Sequence, residues 1–91
     1  PVSVLPAIRK GPTPVQINML QFMPNDTELL VAGVSPGAGG FAGLVDSNTA
    51  KVRVQCAEHT NTVFSCEVAP DGNTVVTSGG NAHETLVWDA D

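Results

Sequence analysis

Residues 16–46 and 62–89 are two versions of one pattern. Setting Pro24 against Pro70, 46 positions apart, places Ile17 on Val63, Leu20 on Cys66, Phe22 on Val68, Leu29 on Val75, Leu30 on Val76 and Gly33 on Gly79. Asn25-Asp26 lands on Asp71-Gly72, so both copies carry turn-forming residues at the same point. Further on the offset drops to 43 and pairs Leu44-Val45-Asp46 with Val87-Trp88-Asp89; the three surplus residues of the first copy lie within 34–40. A chain that repeats at such an interval is built from supersecondary units of one kind, each burying its apolar face on a neighbour.

The units are made of strands. No segment of ten or more residues has helical periodicity, whereas short apolar runs cut by turn residues recur throughout. A weak strand is expected over 2–8, held to an edge or bent by Pro6. Residues 9–14, with Gly11, Pro12 and Pro14, read as a connector. In 16–22, alternation turns Ile17, Met19 and Gln21 one way and Asn18, Leu20 and Phe22 the other. The run 28–33 is apolar enough to be buried on both faces, 35–40 (Ser-Pro-Gly-Ala-Gly-Gly) is a loop, and 41–46 is the next strand. A polar turn at 46–49 leads to 51–56, with Val52, Val54 and Cys56 on one face. The second copy gives strands at 62–68, 74–78 and 85–89. The expectation is an all-β chain of eight short antiparallel strands and no helix.

Residues 59–89 carry the most specific signal. His59 opens the stretch, Pro70-Asp71-Gly72 turns it, Ser78-Gly79-Gly80 bends it, and Trp88-Asp89 closes it. That order resembles one WD repeat, and the interval is close to the roughly 40–45 residues of such a unit. The resemblance covers the second copy best; the first lacks the His and the Trp. It implies a WD-repeat-type β-propeller segment of about two four-stranded blades: a leading strand and linker in 1–14, a first blade in 15–58, and three strands of a second blade in 59–91. Stacked blades explain strands that are apolar on both faces. In that family chain ends often share a blade, so residues 2–8 supply the expected fourth strand of an incomplete one. Propellers typically have four to eight blades. Two cannot close a ring, which implies a piece of a longer protein or a subunit that assembles with copies. The first residue, Pro1 rather than Met, fits a processed, trimmed or partial chain.

The resemblance also assigns a structural motif. The His of a WD repeat bonds within its blade to a Ser or Thr, to the Trp and to an Asp in the preceding turn. Here His59, Ser78 and Trp88 match by position, while Ala82 stands where the Asp belongs. Asp89 is expected to bond to backbone in the turn that follows it.

Other chemistry finds little footing. Net charge is −5, with Arg9, Lys10, Lys51 and Arg53 as the Lys and Arg residues, too few for the basic surface that nucleic acid or an anionic membrane requires. No apolar run approaches the roughly 18 residues of a membrane span, and no signal peptide is visible. Cys56 and Cys66 read as buried reduced thiols of an intracellular, cytoplasmic protein. Cys56, His59, Cys66 and His83 are zinc-ligand types without paired-knuckle spacing, so no metal is expected. The carboxylates Asp26, Glu28, Asp46, Glu58, Glu67, Asp71, Glu84, Asp89 and Asp91 are scattered, mostly in or beside turns. Ser65 and Cys66 lack a nucleophile-elbow signature, and the glycines of 35–40 precede neither a Lys nor a helix. No catalytic residue and no cofactor is expected. The reading that follows is a non-catalytic scaffold that binds other proteins or further blades. The alternative is a propeller enzyme or small-ligand binder with its site in the central channel, among 16–22 and 62–68.

Overall fold

The computed structural model describes residues 4–56, 61–80 and 84–90. Among them are nine strands and no helix: β1 (Arg9–Lys10), β2 (Thr13–Pro14), β3 (Gln16–Phe22), β4 (Glu28–Ser35), β5 (Gly39–Asp46), β6 (Val52–Gln55), β7 (Val63–Val68), β8 (Thr74–Gly79) and β9 (Glu84–Asp89). They form three antiparallel sheets in chain order: the hairpin β1–β2, the four-stranded β3–β4–β5–β6 and the three-stranded β7–β8–β9. None of these sheets closes on itself.

The sequence repeat is a repeat of backbone devices. β3 carries a bulge between Ile17 and Met19, and β7 carries one between Val63 and Ser65, the same place 46 residues on. After each bulge the strand ends in a matching turn. Asp26 N–H donates to Met23 O and Met23 N–H to Glu28 O, both at 2.9 Å. Gly72 N–H donates to Ala69 O at 2.9 Å and Ala69 N–H to Thr74 O at 2.8 Å. Asn25 Oδ1 accepts from Thr27 N–H at 3.0 Å, and Asp71 Oδ1 from Asn73 N–H at 2.9 Å. These are Asx turns, which explains why only Asn and Asp stand there. The next position is left-handed in both copies, φ 60° at Asp26 and 76° at Gly72, where Gly costs nothing and Asp is tolerated. The third strands close each unit alike, Ser47 N–H donating to Thr27 O and Ala90 N–H to Asn73 O.

The bulge also corrects the expected facing of β3. Asn18 is the extra residue, so Ile17 shares a face with Leu20 and Phe22 and not with Met19 and Gln21. One inserted residue reverses strand parity, and alternation alone does not reveal it.

β4 and β5 form the centre. Their ladder runs unbroken from Glu28–Asp46 to Ser35–Gly39. The expected six-residue loop shrinks to Pro36-Gly37-Ala38, with Ala38 N–H donating to Ser35 O at 2.7 Å. Both faces of this pair are buried, as expected, but by different partners. Leu30, Ala32, Ala42 and Leu44 pack on Val63, Cys66 and Val75 of the three-stranded sheet. Val31, Phe41 and Val45 pack on Ile8 and Ala50, with Leu5 and Val15 at the margin.

That second cluster overturns the expected role of the leading segment. Described residues 4–8 form no strand and do not complete the β7–β9 sheet. Ile8 is instead buried on the far face of the first sheet. The expected connector supplies the strands: β1 and β2 pair across Gly11-Pro12, and Val15 N–H donates to Ile8 O at 2.8 Å. Lys10 Nζ then clamps the hairpin to the β4–β5 turn by donating to Ala38 O at 2.7 Å and Gly40 O at 2.9 Å. A segment with Pro6, Pro12 and Pro14 lacks three ladder donors, so it caps an apolar face better than it extends a sheet.

Candidate functional site

The first strands of the two sheets, β3 and β7, lie side by side without a shared ladder. Side chains join them. Asn18, pushed out by the bulge, donates from Nδ2 to Val63 O at 2.9 Å. Val68 N–H donates to Gln21 Oε1 at 3.2 Å. Cys66 sits between them, its thiol near Met19 O and Leu30 O at 3.9 and 3.8 Å. The junction leaves a cleft of about 490 Å³ whose walls include Met19, Leu20 and Gln21 from β3 and Ser65, Cys66 and Glu67 from β7. These two triplets are each other's counterparts in the repeat. Beyond the cleft the β3 surface is apolar and open: Leu20 is 48% exposed and Phe22 60%.

Burial pushes the Cys66 thiol up to about 11, so it stays protonated near neutral pH and is a poor nucleophile. Glu67 is exposed and is the carboxylate among those six wall residues. Ser65 has no described imidazole beside it, His59 and His83 lying outside the described residues. No group of three metal-ligand side chains occurs among the described residues.

Of the four residues singled out as a structural motif, the structure describes Ser78, Trp88 and Asp89. His59 lies outside the described residues. Trp88 Nε1–H donates to Thr77 Oγ1 at 3.1 Å. Strand alternation is the reason: Trp88 and Thr77 face the first sheet, while Ser78 faces outward and shares a hydrogen bond of 3.0 Å with Thr85. Trp88 is only partly buried, packed against the core between the sheets. The turn expected to receive Asp89 includes residue 91, outside the described residues. Its counterpart Asp46 does accept from Asn48 and Thr49 N–H, at 2.7 and 2.9 Å, and these bonds hold its carboxyl below the ordinary range.

A second joint between the sheets lies at the opposite edge and was not foreseen. Arg53 on β6 forms a two-pronged ion pair with Glu28, Nε to Oε2 and Nη2 to Oε1, the latter at 2.9 Å. The same Nη2 donates to Ala90 O at 2.7 Å, past the end of β9. The bond from Arg53 keeps the Glu28 carboxyl below its usual range despite the opposing effect of burial. Residues 28 and 53 are too far apart in sequence for any local pattern to have linked them.

Compared with known proteins, the chain matches no family model, no curated protein and no solved structure. No helix among the described residues is long and apolar enough to cross a membrane.

Proposed function

We propose that this chain is part of a WD-repeat-type β-propeller and serves as a non-catalytic scaffold for protein–protein contacts, with the β3–β7 cleft and its apolar margin as the contact surface. The observation that carries the reading is the double copy of bulge, Asx turn and stacked sheet at 46 residues, together with the closing Trp88-Asp89. Two sheets stacked in the same sense, with their first strands together at one edge, have the arrangement of adjacent blades around a channel. In this reading further blades, from a longer chain or from copies, complete the ring. The indole–Thr77 bond serves as the brace that a blade's third strand makes to its second.

The cleft is also where a small ligand would sit in a ligand-binding or enzymatic propeller. Its one wall carboxylate and its protonated thiol favour contact over catalysis. Photo-crosslinking residues installed in turn at Leu20, at Gln21 and, as a control, at Asn48 in the β5–β6 turn test the reading in the native cells. The scaffold role requires the first two to capture the same defined proteins and Asn48 none. Capture of no protein at Leu20 and Gln21, with thermal stabilisation by a metabolite, would replace it with the ligand-binding alternative.

A further inference from the structure

The two ends of the stack differ, and they match each other. Each sheet has one face turned toward the leading segment's side and one turned away. The 46-residue relation carries Leu20, Phe22, Leu29 and Val31 of the first sheet onto Cys66, Val68, Val75 and Thr77 of the second. The second set is already docked, against Met19, Gln21, Leu30 and Leu44 of the first sheet. The molecule thus contains one formed example of this face-to-face contact. At one end of the chain the same inner face remains partly open, with Ile17, Leu20 and Phe22 at 45, 48 and 60% exposure. At the other end the matching outer face is open, with Val76 and Val87 at its centre and Val87 66% exposed.

We propose that the chain associates head to tail with a second copy of itself, the β3 end of one copy seated on the outer face of the β7–β9 sheet of the next. Two independent observations favour this occupant. Charge is unevenly spread along the chain: residues 1–53 hold Arg9, Lys10, Lys51 and Arg53 against Asp26, Glu28 and Asp46, with Arg53 already paired to Glu28, whereas residues 54–91 hold no Lys or Arg while carrying Glu67, Asp71, Glu84 and Asp89. Head-to-tail contact brings unlike ends together; contact through two equivalent faces brings like to like. The second observation is a change in side-chain chemistry. The positions filled by Ala32 and Ala42 on the buried outer face become Ser78 and Thr85 on the open one. Ile8, with Leu5 and Val15 at its margin, covers the Val31, Phe41 and Val45 part of the first sheet's inner face, and Lys10 ties the adjoining hairpin to Ala38. A docking copy therefore presents apolar β3 to Val76 and Val87, and a polar hairpin bearing Arg9 to the hydroxyl- and carboxylate-bearing side near β9. Contact of this kind is heterologous and propagates into rings or chains. It needs only the observed stack and stands or falls apart from the scaffold role.

Sedimentation velocity on the purified 91-residue chain tests it. The expected result is concentration-dependent association that weakens with salt. Phe22→Glu and Val87→Glu, both at exposed positions, each raise the dissociation constant at least about tenfold. Mixed in equal amounts they recover a 1:1 dimer that grows no further, because one sound end survives on each. Far-UV circular dichroism confirms the fold of each variant, and Arg9→Glu in the exposed hairpin weakens association should either fail to fold. A monomer at all concentrations, indifference to either face, or a mixture that does not recover the dimer overturns the proposal.

Discussion

The two sheets share a backbone and part company in their side chains. Where β3–β6 places Met19, Leu30, Ala32, Ala42 and Leu44, β7–β9 places Ser65, Val76, Ser78, Thr85 and Val87. The first set is largely sealed under the neighbouring sheet; the second faces outward. Bulges, Asx turns and close backbone approaches depend on local geometry, and so they recur whatever lies on the faces. Face chemistry answers instead to what covers it. Similarity between the copies therefore reports how each unit folds, and dissimilarity reports where the stack meets something other than itself.

The sharpest way to break that comparison is one substitution made twice. Leu44→Ser puts a hydroxyl into the fully buried core and is expected to cost about 4 kcal/mol, from lost packing plus a buried polar group. Val87→Ser, its counterpart on the open face, is expected to stay within about 0.5 kcal/mol. Urea unfolding of both variants at low protein concentration measures the contrast. Equal costs would mean that the outer face of the β7–β9 sheet is covered in the monomer.

Next in size are Gly33 and Gly79, where the copies agree. A Cβ at Gly33 would strike the carbonyl oxygen of Gln16, and one at Gly79 the carbonyl oxygen of Thr62. Gly33→Ala and Gly79→Ala are each expected to cost about 3 kcal/mol, as for overpacked sites. The two values should agree within about 1 kcal/mol if the sheets are energetic as well as geometric copies.

The smallest expected effect concerns a feature that one copy has alone. Arg53 is half exposed, so Arg53→Met is expected to cost only about 1 kcal/mol at neutral pH. Because Arg53 lowers the Glu28 pKa in the folded chain, its contribution is complete above the ordinary carboxylate range. It is lost as pH falls through the depressed folded value. The gap between wild type and variant should therefore narrow as pH falls below the ordinary carboxylate range. A gap unchanged on acidification would mean that Arg53 acts through Ala90 rather than through Glu28.

Much of this architecture was legible in the chain. The apolar runs and their Asn, Asp and Gly boundaries gave seven of the nine strands to within two residues at either end, because those boundaries are local hydrogen-bonded turns. What escaped was either parity or distance. The Asn18 bulge leaves no mark on composition, yet it decides which residues of β3 are exposed. Which hydroxyl faces Trp88 is of the same kind, since Thr77 and Ser78 are both hydroxyl residues and only the ladder tells them apart. The Glu28–Arg53–Ala90 joint and the folding back of Ile8 are contacts between distant residues, which no window along the sequence contains. The Gln21 and Asn18 links to β7 likewise depend on that bulge.

The order of strand pairing has a kinetic consequence. Among the described residues every ladder joins strands adjacent in sequence, and the longest, β4–β5, closes over three residues. A hairpin of that type forms in roughly microseconds, and its register is set by its own turn. The slow search that usually burdens β proteins comes from pairing distant strands. Here it falls on the docking of finished units: Ile8 seating on Val31, Phe41 and Val45, and one meander seating on the other, with Cys66 and Val75 entering the space above Leu30 and Leu44.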